Sequence, residues 1–268
     1  MILSPIEQSI KRKIEAAGVP LKDWDINIYR GVLTGYNDAF IISGAKRAEI
    51  LAGCKTEEER KRTDELIRPV LRGRDIRRYG YEFADLWLIN THNGIKEKGI
   101  PRIDVEKDYP AVKKHLDEYW DKIEKRADQG DTPYNLRNCA YLDDFFKPKI
   151  VYPETTQGAY FAYDDKGMFI DKTCFMMISK DALFLQKILS SKLFEVAYKK
   201  IFSSIELGES GYQYNKHALI KLPVKKVEES EQKDFENLNK TEIDRKIYEL
   251  YGLNNEEIDF INSSITTK

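Results

Sequence analysis

Ile6, Ile10 and Ile14 recur every fourth residue between Ser4-Pro5 and Gly18, which predicts an amphipathic helix with a serine-proline start and a glycine stop. From 25 to 43 the pattern alternates instead, predicting two strands around a Thr34-Gly35 turn, a β-hairpin whose glycine permits a positive φ. Residues 45–66 return to helical composition with an interruption near Gly53, and Pro69 then turns the chain. Leu86–Asn90 reads as a buried strand. Val112, Leu116, Tyr119, Trp120 and Ile123 give helical periodicity over 109–127.

The most sheet-rich stretch follows, with short apolar runs at 150–152, 160–163, 168–170 and 174–178 and a hairpin turn predicted at Asp164-Asp-Lys-Gly167. Asp181 is placed to cap a helix through Leu183 and Leu189, and a second helical run leads to Phe202. Ala218–Leu222 reads as a last strand. After Pro223 the pattern is helical, with an amphipathic segment at 241–252 and a short helix from Asn255. The chain shows no internal repeat.

Length and composition then narrow the class. A chain of 268 residues, 41% hydrophobic and 33% charged, can bury a sizeable core, and it has no apolar run long enough to span a bilayer. Cys54, Cys139 and Cys174 lie far apart without metal-ligand spacing, and no signal peptide precedes Lys11-Arg-Lys13, so a reducing cytoplasm is the expected compartment. Charge is distributed unevenly. With 45 acids against 44 bases the whole is nearly neutral, which excludes a uniformly basic nucleic-acid coat. Yet Arg68, Arg72, Arg74, Arg77 and Arg78 crowd one stretch opposed by Asp75 alone, whereas residues 225–268 carry a net −4.

Two readings apply to the arginines: a solvated face with internal ion pairs, or a local anion-binding element. Arg72-Gly73-Arg74 sets a small residue between two forked donors, which suits close approach to a phosphate. Glu154-Thr-Thr-Gln157-Gly-Ala-Tyr160 supplies amide and hydroxyl groups between two strands, as base reading requires, or else forms an ordinary polar connection. The aromatics Tyr160, Phe161, Tyr163 and Phe169 suit core packing better than stacking on bases. Ser210–Lys216 is a second polar-aromatic loop of this ambiguous kind. Catalytic motifs are missing: Thr132-Pro-Tyr134 lacks the doubled proline of an adenine methyltransferase loop, and no glycine-rich cofactor fingerprint follows a strand. Glu59-x-Lys61 and Glu231-x-Lys233 match the nuclease tripeptide but fall in charged helical runs. His92, His115 and His217 have no metal-site neighbours in sequence.

Several ordered segments together resemble the TaqI-like C-terminal specificity domain of type IIG restriction-modification enzymes, proteins that methylate adenine and cut DNA. Leu21-Lys-Asp-Trp24 looks like its linking segment, and Gly31-x-x-Thr34-Gly35-x-Asn37-x-Ala39-Phe40 like its opening hairpin. Leu71-Arg-Gly-Arg-Asp-Ile-Arg-Arg-Tyr79, Phe146-Lys-Pro-Lys-Ile-Val151, Gln213-Tyr-Asn-Lys216 to Leu222-Pro-Val224 and Ile243–Gly252 complete the likeness. It implies an α+β, mixed-sheet target-recognition domain with flanking helices. The expected divisions are a linking helix at 1–24, the recognition domain at 25–224 and a C-terminal helical appendage at 225–268.

The expected role is sequence-specific recognition of double-stranded DNA. Lys46, Arg47, Arg72, Arg74, Arg77 and Arg78 would hold phosphates, and Thr156, Gln157 and Tyr160 would read bases. No catalytic or metal-binding residue is expected in this chain. The resemblance implies a parent with methyltransferase and nuclease domains using S-adenosylmethionine and magnesium, from which this chain looks like a separately expressed part. The alternative is a protein-interaction module whose helices at 1–18 and 230–263 dock another subunit.

Overall fold

The computed structural model describes residues 3–202 and 211–265. In its first half lie helices α1 (Pro5–Ala17), α2 (Asn37–Phe40), α3 (Gly44–Ala52), α4 (Glu57–Leu66), α5 (Val105–Asp108), α6 (Pro110–Asp117) and α7 (Trp120–Ile123). Later come α8 (Ala182–Leu189), α9 (Lys192–Ala197), α10 (Lys216–Leu219), α11 (Glu229–Lys233), α12 (Lys240–Leu250) and α13 (Asn255–Ser264). The early strands are β1 (Val19–Pro20), β2 (Asn27–Arg30), β3 (Ile41–Ser43), β4 (Ile67–Leu71), β5 (Ile76–Arg77), β6 (Gly80–Tyr81) and β7 (Leu86–Ile89). The later ones are β8 (Lys149–Pro153), β9 (Thr155–Thr156), β10 (Ala162–Asp164), β11 (Phe169–Ile170), β12 (Cys174–Ile178), β13 (Tyr212–Gln213) and β14 (Pro223–Val224).

The architecture rests on an antiparallel sheet ordered β10-β8-β12-β2, whose two faces are both covered. Strand alternation divides its residues between two cores. Ile28, Ile150, Tyr152 and Met177 face the helical core with α1, α8, α9, α12 and α13. Val151, Ala162, Cys174 and Met176 face the other core, which includes a second sheet ordered β11-β4-β7-β3. In that sheet β11 runs parallel to β4 while β7 is antiparallel to both its neighbours, so the protein is an α+β fold with a mixed sheet. Local signals fix the ends of the helical layer. Ser4 and Glu7 form a full capping box on α1, and Asn239 with Glu242 and Asn254 with Glu257 do the same for α12 and α13.

Several predicted elements pair differently. The segment 25–43 is not a hairpin: Gly35 takes the expected positive φ, but β2 joins β12 and β3 joins β7 in the other sheet. Likewise Gly167 turns the chain at positive φ, yet β10 pairs with β8 and β11 with β4. The helix expected over 109–127 is divided into α6 and α7, and the Ala218–Leu222 strand is α10 and its turn, started by the Asn215 side chain accepting from the Ala218 amide. Pro69 sits inside β4, opposite Trp87. Asp181 stands before α8 without a side-chain cap bond and accepts instead from Gln232.

One ion pair lies wholly inside. Lys149 and Asp164 are opposite each other on β8 and β10, and neither side chain is exposed. Their Nζ–Oδ2 distance is 2.6 Å, Lys149 also donates to the Phe145 carbonyl, and Asp164 accepts from Tyr81 and from the Lys166 and Met168 amides. Burial pulls the Lys149 ammonium below the ordinary lysine range, with Asp164 opposing that shift.

Candidate nucleic-acid interface

The arginine cluster leaves the sheet where β4 ends. Asp75 is buried one turn beyond Arg72 and accepts from the Arg72 amide and from its guanidinium at 3.1 and 3.0 Å, so Arg72 is held in place by its own loop. Gly73 donates to the Thr173 hydroxyl, which in turn donates to the buried carboxylate of Asp171, so this loop is locked to the β11–β12 turn. A Cβ at Gly73 would meet both Thr173 and Pro153 at 3.2 and 3.3 Å, tighter than ordinary contact, which explains the small residue. Arg77 hydrogen-bonds the Arg74 carbonyl and pairs with Glu82. The exposed Arg74 guanidinium has no ion pair or hydrogen bond among the described residues.

These residues line a cleft of about 810 Å³ together with the connection that follows β8. Five cations, Arg30, Arg72, Arg74, Arg77 and Lys172, face two carboxylates, Glu154 and Asp171. Thr155, Thr156, Gln157 and Tyr160 belong to the same lining. This connection is stiffened from within. Thr156 is buried, its hydroxyl bonded to the Gly158 carbonyl at 2.7 Å, and β9 pairs with β13. In this arrangement Thr156 shapes the loop, while Thr155 and Gln157 are exposed at its surface. Tyr160 is half-buried and packs against the mixed-sheet core.

Gln157 and Tyr160 also border a second cleft, of about 1270 Å³. Arg78 lies there, apart from the other arginines: it donates to the Ser190 carbonyl and pairs with the buried carboxylate of Glu195. Glu195 further accepts from Lys199 and from the Ala159 amide, and Lys199 donates to the Gln157 carbonyl at 3.0 Å. The loop is thereby fastened to the helical layer. Arg68 remains on β4, with its guanidinium over Phe146.

The fold thus brings Arg72, Arg74 and Arg77 beside Thr156, Gln157 and Tyr160, and sets Arg78 on the far cleft. Lys46 and Arg47 belong to neither cleft. They lie on α3, where Lys46 pairs with Glu49, and Arg47 pairs with Asp64 and sits over Trp87. Sequence reasoning missed Arg30 and Lys172. Arg30 reaches the cleft because β2 pairs with β12 in a register that sets it opposite Phe175, a pairing with no local signal. Of the histidines, His115 is buried against the Ala39 carbonyl and its pKa is lowered by burial, and His92 accepts from the Gly94 amide. Among the described residues, no three His, Cys, Asp or Glu side chains converge as a metal site requires, and no helix is long and apolar enough to cross a membrane.

Two solved structures share this fold. The type IIG restriction endonuclease BpuSI matches with a TM-score of 0.57 at 14% identity over 92% of this chain. The type IIL restriction-modification enzyme MmeI, solved in complex with DNA, matches with a TM-score of 0.59 at 12% identity over 91% of this chain. This chain spans 28% of the first of those chains and 35% of the second. Residues 68–224 match the family described as the TaqI-like C-terminal specificity domain, a range that contains the arginine cluster, the 154–160 connection, β4 from its second residue and all the strands from β5 to β14. The chain belongs to the TaqI-like C-terminal specificity domain family.

Proposed function

We propose that this chain recognises a specific sequence in double-stranded DNA, serving as the specificity part of a type IIG restriction-modification system. The observation that carries this reading is the first cleft, where Arg72 and Arg77, held by their own loop, and the exposed Arg74 share one lining with an exposed amide on a stiffened loop. Phosphate contacts position a protein on a duplex, and groups projected from a rigid element distinguish base edges. Arg74, with no partner among the described residues, and Arg72 and Arg77 beside it are the phosphate contacts in this reading. Arg78 joins them from the far cleft, and Lys46 and Arg47, on α3 and in neither cleft, would be further backbone contacts. Gln157 carries the base contact, with Tyr160 beside it and Thr156 holding the loop in shape.

The divisions at 1–24, 25–224 and 225–268 remain part of this proposal, as does residence in the cytoplasm. The parent would be an adenine-N6 DNA methyltransferase and endonuclease. In this reading S-adenosylmethionine and magnesium would be bound by its other domains. This chain alone is then a binding protein and not an enzyme. The test is selection from a pool of randomised duplexes by the purified chain, followed by sequencing. One enriched site, bound with affinity that falls as salt rises, is the expected result. Binding to a protein subunit that salt leaves unchanged, with no duplex retained, would refute it in favour of a protein-docking module.

A further inference from the structure

The appendage at 225–268 has a net charge of −4, which as a whole opposes contact with DNA. Its described cations are not alike, however. Lys225 donates to the Leu250 carbonyl, Lys226 to the Asp23 carbonyl, and Lys233 and Lys246 pair with Glu229 and Asp234. Lys240 and Arg245 are exposed and make no hydrogen bond or ion pair among the described residues. Both line the second cleft, on the face of α12 that also presents Thr241, Asp244 and Tyr248 to it.

The acids of that cleft are spent internally. Glu195 is buried under Arg78 and Lys199, and Asp244 is buried, accepting from the Lys192 amide. The Lys192 ammonium has a neutral partner, Asn262, at 3.0 Å. What the cleft presents to solvent is therefore positive. Its volume of about 1270 Å³ exceeds the roughly 300–1,000 Å³ of small-molecule pockets, so an extended anionic chain suits it better than a single ion. It shares Gln157 and Tyr160 with the first cleft, so one duplex engaged by that loop has backbone on both of its sides.

We infer that Lys240 and Arg245 of α12, with Lys192 of α9, form a second phosphate clamp that holds the DNA backbone on the side of the 154–160 loop away from the arginine cluster. This inference rests on the DNA-recognition reading above. Each phosphate neutralised contributes about 0.9 to the slope of log K against log salt. The full-length chain carrying Lys240→Gln and Arg245→Gln should bind a mixed-sequence duplex with a slope shallower by about 2, and its hydroxyl-radical footprint should lose protection at one end only. Its melting temperature should be unchanged, since neither side chain has a partner among the described residues. Lys226→Gln plus Lys233→Gln removes equal charge from the same appendage at paired sites and should leave slope and footprint as they were. If the first variant keeps the wild-type slope and footprint, or if both variants lose slope equally, the clamp is refuted while DNA recognition stands. If the wild-type chain retains no duplex at low salt, clamp and recognition fall together.

Discussion

Replacing Asp164 with asparagine tests the internal ion pair that joins β8 to β10. The carboxylate meets Lys149 and the Met168 amide through one oxygen, and Tyr81 and the Lys166 amide through the other. An asparagine amide group would turn donors toward donors at one of those pairs and leave the Lys149 charge with the Phe145 carbonyl at 2.6 Å and the Lys147 carbonyl at 3.5 Å. Breaking a buried pair in this way costs about 3–5 kcal/mol, or about 6–20 °C of melting temperature in a chain of this size. Lys149→Met should cost less, because Asp164 keeps three other donors. The pH dependence has a definite sign. Lys149 titrates below the ordinary lysine value in the folded state, so between its folded and unfolded pKa the unfolded chain binds more protons and stability rises with pH. Without Asp164 that window extends lower, so the deficit of Asp164→Asn should narrow as pH is raised toward the ordinary lysine value. Urea denaturation across pH, followed by circular dichroism, measures both effects. A loss under about 1 kcal/mol for Asp164→Asn, or a larger loss for Lys149→Met, would refute the assignment.

Three further outcomes are expected at the interface. Arg74→Ala with Arg77→Ala should weaken binding to all duplexes alike and flatten the salt slope by about 2, read by fluorescence anisotropy from low to moderate salt. Gln157→Ala should lose about 1–3 kcal/mol of discrimination at a single base position with non-specific affinity kept, measured by competition against duplexes altered one position at a time. Gly211 holds φ +101° at the start of β13, where a Cβ would strike the Thr156 carbonyl. Gly211→Ala should therefore destabilise the chain by more than about 1 kcal/mol in urea and blur the same base preference.

Much of the helical layer was legible because its signals are local. The serine-proline start at Ser4-Pro5, the 241–252 periodicity and the interruption at Gly53 depend on residues within a turn or two of each other. Strand partners were not legible. The turns at Gly35 and Gly167 are real, but the central sheet is buried on both faces, so its strands carry no polar side to indicate which neighbour they take. The same holds for the interface. Arg72, Arg74 and Arg77 announce themselves by crowding, whereas Arg30 and Lys172 lie far apart in sequence and meet only through long-range pairing, and Lys240 and Arg245 reach their cleft only because α12 packs beside α9. Lys149 shows the opposite limit: its segment was recognisable by likeness, yet nothing local marks it as a charge enclosed by the fold.

The order of strands also bears on how the domain can be cut. Residues 68–224 contain β12 and β7 but not β2 and β3, which close the outer sides of those two strands. A piece trimmed to the matched range would present two freshly bared rows of backbone N–H and C=O groups, flanked by Met176, Met177 and Leu88, as templates for another copy. It would also open the helical core from which Ile10 and Ile14 had been withdrawn. The matched span thus lacks the strands that guard these edges, and self-association of such a fragment would reflect unguarded strands and not a natural assembly.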